Sequence, residues 1–275
     1  KLADGSTLSY DRLLIACGSR PREGPWEGYG LRGIGHFVTM QDLQWLEQEL
    51  HGRSGVDLPP RADAHLATAG AVGEPGASAY AVREAAAKVR GSAATRPVVI
   101  GGGLIGVEVV ETMLAAKRKP TFLIKDEWFW PIALDRNEAT FIAGELRHHG
   151  VDVRTGENVV RFEGDARGNV ARVVTDKGTI DADVVIIAIG VRPNTDWLKG
   201  SLALDPSGAI TVDEGLRTSV PDVWACGDCA AVKWFDGRVR PEQLWYTSRD
   251  QGGWPVAGSS ATRPDTRAAP GTTAR

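Results

Sequence analysis

Three glycines at fixed spacing give this chain its clearest chemical signal. Gly101, Gly103 and Gly106 follow the four apolar residues 97–100 and precede an apolar repeat of helical spacing. In a strand, glycine turn and helix of this kind, the first glycine allows a tight turn and the second lets the backbone approach a pyrophosphate. The third lets the helix pack closely against the strand. The pattern predicts a dinucleotide site; the alternative is a glycine-rich turn without a ligand.

The segment after the glycines is predicted to be the helix that completes this site. Leu104 and Ile105 stand at its start, where backbone N–H groups lack helical acceptors and the helix dipole favours a phosphate. We therefore expect both residues to contact the nucleotide. Glu108 follows in the same segment, and one interpretation makes it an acid of the first turn that the dipole stabilises.

The end of the next apolar strand bears on the choice between NADH and NADPH. An acid at this position binds the ribose hydroxyls, whereas basic residues bind the 2′-phosphate. Ile124 occupies the expected acidic position, Lys125 favours a phosphate, and Asp126 with Glu127 opposes it. Together these residues favour NADH over NADPH by a small margin. We expect Lys125 to lie beside the nucleotide.

Two buried strands, 13–18 and 186–190, each end in the pattern Gly-x-Arg-Pro, and the whole nucleotide module lies between them. This arrangement predicts that one domain is inserted into another, and it places Gly190 at a crossing point beside the nucleotide. The predicted domains are a discontinuous one, 1–25 with 191–252, and an inserted nucleotide domain, 26–190, with a loop insertion at 52–76. Residues 253–275 hold too little apolar surface to order themselves.

Hydrophobic periodicity supplies the secondary structure around these motifs. Leu43, Leu46 and Leu50 recur at helical spacing, which predicts a helix over 40–50. The apolar run 184–189 is typical of a central parallel strand. Further predicted elements are a hairpin turn at residues 4–5, a strand at 121–124, a helix at 136–149 and a β-meander at 159–162, 170–175 and 179–182.

A third apolar strand, 220–225, leads into Cys226-Gly227-Asp228-Cys229. A carboxylate at the end of a buried strand accepts hydrogen bonds from N–H groups and from ligand hydroxyls, so Gly227 and Asp228 suit a polyol. The alternative for Asp228 is a plain helix cap. The two cysteines form a CxxC motif that can shuttle electrons, although we favour the interpretation of two small buried residues.

Composition excludes several classes of protein. The 275 residues are 42% hydrophobic with a net charge of −3, which predicts a globular protein with no nucleic-acid partner and no membrane association. The α/β class follows from the predicted parallel strands and helices. Three cysteines do not make a disulfide framework, and the chain start lacks a signal-peptide pattern, so a cytoplasmic location is expected. His148 and His149 suit a helix C-terminus rather than a metal site.

With these motifs in this order, the chain resembles the pyridine nucleotide–disulfide oxidoreductase superfamily over residues 1–252. Within that superfamily it is most similar to the branch that contains the NADH oxidases, the ferredoxin or rubredoxin reductases and the nitrite reductase-like proteins. The motifs that carry the resemblance are Ala16-Cys17-Gly18, with Cys in place of the family's Thr, the glycine turn from Gly101 to Glu108, and Gly227-Asp228. The resemblance implies a Rossmann-like NAD(P)-binding domain inserted in an incomplete FAD-binding one.

The resemblance also implies cofactors and roles. It implies FAD and NAD(P)H as cofactors, with hydride passing from nicotinamide to flavin and electrons going on to a small electron-transfer protein or a small-molecule acceptor. Asp228 would bind the ribityl chain, and Glu108 would lie near the flavin as the candidate catalytic residue. Trp245 would also lie near the flavin, although it is equally typical of a core residue, and the family's usual preceding glutamate is here Gln243.

In one respect the chain departs from the family's pattern. The family's first GxGxxG, which binds the ADP half of the flavin, is expected before Lys1, so the chain reads as a fragment. A non-catalytic NAD(P)-binding module or an inactive fragment therefore stays as the alternative function. An NAD dehydrogenase without flavin is disfavoured, because Gly227-Asp228 would be unexplained.

Overall fold

The computed structural model describes residues 4–51, 95–234 and 236–253. The chain forms two compact units: unit 1 is Lys1–Ser19 with Arg192–Arg275, and unit 2 is Arg20–Val191. Unit 2 thus interrupts unit 1 in the chain, where the sequence predicted crossings near residues 25 and 190. The predicted loop insertion at 52–76 lies outside the described residues, as does nearly all of the predicted tail at 253–275.

The described elements are mostly short strands. In chain order the strands are β1 (Leu13–Ile15), β2 (Ser19–Pro21), β3 (Ile34–Gly35), β4 (Pro97–Ile100), β5 (Thr121–Ile124), β6 (Asp152–Thr155), β7 (Val159–Gly164), β8 (Val170–Thr175), β9 (Gly178–Asp181), β10 (Val184–Ile187), β11 (Val191–Pro193), β12 (Ile210–Thr211), β13 (Val223–Ala225), β14 (Ala230–Lys233) and β15 (Val239–Arg240). The α-helices are α1 (Met40–His51), α2 (Leu104–Ala115), α3 (Arg136–His148) and α4 (Trp245–Gly252). Two 3-10 turns are described, at Asp196–Leu198 and Gly227–Cys229.

Unit 2 is built on a five-stranded parallel sheet in the order β3-β10-β4-β5-β6. Every residue of β4 and β10 is buried, since a central parallel strand is covered on both faces. The predicted parallel strand at 184–189 is therefore confirmed, although it ends at Ile187. The order also puts the turn after β4 between the carboxyl ends of two neighbouring strands, where open α/β sheets bind ligands.

The helices of unit 2 form where their apolar spacing predicts. Leu43, Leu46 and Leu50 of α1 are buried. Helix α3 begins with a capping box, in which the Asp135 side chain accepts from the Glu138 amide and the Glu138 carboxylate accepts from the Asp135 amide. The helices predicted at 40–50 and 136–149 are both confirmed.

The predicted β-meander is a separate antiparallel sheet, β7-β8-β9. Phe162, Val173 and Ile180 form one apolar cluster with strand residues that include Val98 and Val185. The meander therefore covers residues of the parallel sheet and buries part of it.

Unit 1 has a smaller framework. Strand β1 pairs in parallel with β13, and β12, β14 and β15 form a three-stranded sheet. The hairpin predicted at residues 4–5 is wrong: the Asp4 carboxylate accepts from both the amide and the hydroxyl of Ser6, and no strand flanks this turn among residues 4–12. Such a local side-chain turn competes with strand pairing.

Candidate functional site

The glycine turn of unit 2 is fixed by contacts that only glycine permits. Gly101 has a φ of +120°, and a Cβ there would lie 2.3 Å from the Ala188 carbonyl oxygen. Its amide donates to the Leu123 carbonyl at 2.9 Å. A Cβ at Gly106 would lie 2.0 Å from the Gly101 carbonyl oxygen. Helix α2 thus approaches the end of β4 so closely that a side chain at Gly106 has no room.

Gly103 differs from these two glycines because it faces open space. A Cβ there would meet no atom within 4 Å. Gly103 is also the N-cap of α2 and has no side chain to bond the first amides of the helix. Because Leu104 and Ile105 open the helix, their N–H groups have no carbonyl of the same helix to bond, and the first turn holds no acid. Open space, free donors and a positive helix end together suit a phosphate.

Glu108 lies in the second turn of α2, so the interpretation of a first-turn acid is wrong. Partial burial of its carboxyl group raises the pKa of Glu108, and the nearby charge of Glu111 raises it further. The carboxyl group therefore keeps its proton to a higher pH than an ordinary glutamate does.

The residues after β5 present one cation to solvent at the carboxyl edge of the sheet. Ile124 is fully buried, so it cannot face a ribose, and Lys125 is the first exposed side chain after the strand. Asp126 is also exposed. The Glu127 carboxylate pairs with Arg136 at 2.6 Å. This ion pair offsets the charge of Glu127. Among the residues after β5, Lys125 and Asp126 therefore determine the electrostatic potential at this edge of the sheet.

Gly190 lies just beyond β10, the strand next to β4 in the sheet. It has a φ of +96°, and its carbonyl accepts from the Arg22 amide at 3.0 Å. The Ala188 amide donates to the Ile100 carbonyl at 2.7 Å. The structure therefore brings Gly190 to the same edge as the glycine turn.

In unit 1 the Asp228 carboxylate is held by two hydroxyl groups. Ser19 donates to Oδ2 at 2.6 Å and Ser248 donates to Oδ1 at 3.1 Å. The preceding Gly227 has a φ of +74°, and its amide donates to the Gln251 side chain at 2.7 Å. Because each carboxylate oxygen can accept more than one hydrogen bond, Asp228 keeps capacity for a ligand hydroxyl.

The alternative of a helix cap for Asp228 is wrong. Asp228 lies inside the 3-10 turn Gly227–Cys229, whose N-cap is Cys226, and no side chain caps that turn. Sequence reasoning missed Ser19 and Ser248, because serine is common and neither residue stands in a motif. Only the tertiary contacts identify them.

The Ala16-Cys17-Gly18 segment directly follows β1 in the same unit. Ala16 is exposed, and Gly18 has a φ of +64° that turns the chain. The Cys17 thiol is half-buried and donates to the Asn194 carbonyl at 3.3 Å. These residues therefore border the Asp228 turn through Ser19, two positions beyond Cys17.

Trp245 begins α4 and is 64% exposed, so the interpretation as a core residue is wrong. Its ring lies 5.2 Å from that of Tyr246, and the Arg249 guanidinium stacks over it at 5.1 Å. Just before it, the Gln243 Nε2 atom is buried and has no hydrogen-bond partner among the described residues. An exposed aromatic ring and an orphaned buried amide fit a planar polar group such as a flavin.

Within residues 4–51, 95–234 and 236–253, no group of three or more His, Cys, Asp or Glu side chains is placed to hold a metal ion. No helix in that part of the chain is long and apolar enough to cross a membrane.

Comparison with known proteins gives consistent results. Residues 1–252 match the family model described as pyridine nucleotide-disulphide oxidoreductase. An NADH oxidase of Enterococcus faecalis is 40% identical over 147 residues, which are 54% of this chain and 33% of the relative. An FAD-dependent pyridine nucleotide-disulphide oxidoreductase from Desulfovibrio vulgaris has a TM-score of 0.70 and 30% identity, with 90% of this chain and 53% of that one covered.

A second similar structure is the covalent putidaredoxin reductase–putidaredoxin complex. It has a TM-score of 0.71 and 26% identity, and the match covers 90% of this chain and 51% of that chain. The matched region therefore spans about a third to a half of the length of these proteins.

Proposed function

Because the chain belongs to the pyridine nucleotide-disulphide oxidoreductase family, we propose that it is part of an FAD-dependent NAD(P)H oxidoreductase. Unit 2 binds the nicotinamide nucleotide and unit 1 contributes to the flavin site. Bound FAD would supply the chemistry of hydride acceptance and onward electron transfer. The protein's part is to bind and orient the two cofactors and to exclude water.

One observation carries this proposal. The turn at Gly101, Gly103 and Gly106 is closed where the helix must meet the strand and open where a phosphate must enter. A turn that served only the fold would gain nothing from a bare N-cap at Gly103. The pyrophosphate accepts hydrogen bonds from the amides of Leu104 and Ile105 and is stabilised by the helix dipole.

Unit 1 supports the flavin part of the proposal. Asp228 accepts from ribityl hydroxyls while Ser19 and Ser248 hold its carboxylate in place. Trp245 offers an exposed ring beside the orphaned Gln243 amide. Glu108 of unit 2, whose pKa is raised, stays the candidate catalytic residue that the resemblance implies.

Several finer predictions belong to the same proposal. NADH stays the expected substrate by a small margin, because Asp126 opposes a 2′-phosphate that Lys125 favours. The electron acceptor is a small molecule or a small electron-transfer protein. The similarity to an NADH oxidase and to the putidaredoxin reductase complex supports both classes of acceptor. A cytoplasmic location also stays a prediction.

The test is a pair of binding measurements on the purified chain. We expect NADH to raise the melting temperature and to change tryptophan emission, and FAD added in excess to be retained through gel filtration. Binding of NADH without FAD would favour a non-catalytic NAD(P)-binding module. A folded chain that binds neither nucleotide would contradict the proposal.

A further inference from the structure

The turn between β8 and β9 brings a lysine to the carboxyl edge of the parallel sheet in unit 2. Lys177 stands in this turn, and its side chain is exposed. Its Nζ donates to the Thr155 carbonyl at 3.2 Å. Thr155 is the last residue of β6 and lies opposite Ile124, the last residue of β5. The ammonium group therefore lies one strand away from the point where Lys125 follows β5.

The backbone links this ammonium group to the segment after β5. The Gly156 amide donates to the Asp126 carbonyl at 2.8 Å. A Cβ at Gly156 would lie 3.6 Å from Nζ of Lys177. Lys177 thus lies next to a glycine that is hydrogen-bonded to Asp126, the residue after Lys125.

Several hydrogen bonds hold the turn against the end of β6. Asn158 donates to the Asp176 carboxylate twice, from its amide and from its side chain, each at 2.9 Å. The Asp176 amide donates to the Asn158 carbonyl at 3.0 Å. The buried Thr175 hydroxyl donates to the Glu157 carboxylate at 2.6 Å. Because these bonds fix the backbone at Lys177, only its side chain has to be ordered when a ligand binds.

From this placement we propose that Lys177 is a specificity-determining residue, whose ammonium group binds the 2′-phosphate of NADPH together with Lys125. The inference rests on the proposed function, because it concerns the nucleotide bound at the glycine turn. An ammonium group has three N–H donors, and the Thr155 carbonyl takes one of them. Two donors and a positive charge stay available for phosphate oxygens.

The surrounding charges limit the size of the effect. The buried Glu157 carboxylate lies 3.7 Å from the Arg154 guanidinium, which offsets its charge. The hydrogen bonds from Asn158 lower the pKa of Asp176, so this carboxylate is charged near neutral pH. Asp126 and Asp176 therefore offset part of the positive charge of the two lysines. We expect Lys177 to let the chain accept NADPH and not to exclude NADH.

The experiment compares the dissociation constants of NADH and NADPH, measured by titration calorimetry on the full chain at low ionic strength. Lys177→Gln keeps an N–H donor for the Thr155 carbonyl and removes the charge. We expect it to raise the Kd for NADPH by roughly three- to tenfold and to change the Kd for NADH by less than about twofold. Lys177→Arg, which keeps the charge, should retain most of the affinity for NADPH.

Salt and a control variant sharpen the test. The difference in NADPH affinity between the unaltered chain and Lys177→Gln should shrink as salt is added, because salt screens exposed charges. Lys119→Gln is the matched control. It removes the same charge before β5 begins, at the opposite edge of the sheet, and should change neither dissociation constant.

The outcomes separate this inference from the proposed function. An unchanged ratio of the two dissociation constants in Lys177→Gln would overturn the role of Lys177. An equal loss of affinity for both nucleotides would also overturn it, because Lys177 would then support the shape of the edge and not select a phosphate. A folded, unaltered chain that binds neither nucleotide would instead contradict the proposed function, and the inference would fall with it.

Discussion

The two units differ in how their sites are assembled. The nucleotide site of unit 2 comes from one continuous strand, turn and helix, residues 97–115, placed on a five-stranded parallel sheet. The Asp228 site of unit 1 is drawn from three distant parts of the chain, which contribute Ser19, the turn at Gly227 and the helix residue Ser248. Its described sheets have two or three strands each.

The difference shows what each site depends on. A local motif needs only a sheet that supports it, so its geometry follows from the spacing of a few glycines. A site gathered from distant segments depends on the pairing of β1 with β13 and on the hydrogen bonds that tie α4 to the Gly227 turn. We therefore expect unit 2 to keep its ligand when unit 1 is perturbed, and four experiments can break or sharpen this expectation.

The largest effect is expected at the glycine turn. Gly106→Ala should destabilise the protein by about 1–3 kcal/mol, because its methyl group would overlap a backbone oxygen that cannot move independently of β4. NADH binding should be lost with it. Gly103→Ala is the matched control: it should keep the melting temperature and weaken only NADH binding. A normal melting temperature for Gly106→Ala would contradict the close packing of α2 on β4.

The second effect is confined to unit 1. Asp228→Asn keeps the shape of the side chain but removes its charge, and a hydrogen bond to a charged group contributes about 1.5–3 kcal/mol. We therefore expect the dissociation constant for FAD to rise by roughly 10- to 100-fold. The NADH titration should stay unchanged. Asp222→Asn, on the loop before β13, is the control, and loss of NADH binding in Asp228→Asn would show that the two sites are not independent.

The third effect tests the carboxyl edge of β5. Lys125→Glu should shift the preference toward NADH over NADPH by roughly five- to tenfold, because a carboxylate repels the 2′-phosphate and binds ribose hydroxyls. The ratio of dissociation constants measures this shift. Lys119→Glu, at the opposite end of the same strand, should leave the ratio unchanged. Equal ratios for both variants would remove Lys125 from the site.

The smallest effect concerns acid stability of unit 2. Arg96 donates two hydrogen bonds to the Asp183 carboxylate through its side chain, and these hydrogen bonds lower the pKa of Asp183 below its ordinary value of 3.8. A lowered carboxyl pKa contributes stability above pH 3.8 that is lost as the pH falls through the folded-state value. Both side chains are 40–49% exposed, so the contribution is about 0.5 kcal/mol after solvent screening.

Asp183→Asn should therefore lower the urea midpoint near pH 6 and leave it nearly unchanged near pH 2. Asp11→Asn, an exposed aspartate of unit 1, should change neither. An equal loss for Asp183→Asn at both pH values would mean that the effect is not electrostatic.

Sequence reasoning succeeded where the signal was local. Leu43, Leu46 and Leu50 predicted α1, and the glycines predicted the turn with the roles of Gly101 and Gly106 in its packing. It failed where the surroundings of a side chain differ from those that the local pattern suggests. Asp4 closes a turn on Ser6 where a hairpin was expected, and Trp245 is exposed where a core position was one interpretation.

By itself, the sequence determined the α/β class, the strand, turn and helix of the nucleotide site, and the presence of an aspartate after a buried strand. These follow from hydrophobic period and from the conformations open to glycine, which act over a few residues. Only the tertiary structure decided that Ser19 and Ser248 hold Asp228. Those contacts depend on which strands pair, because the register of β1 on β13 brings together residues more than two hundred positions apart.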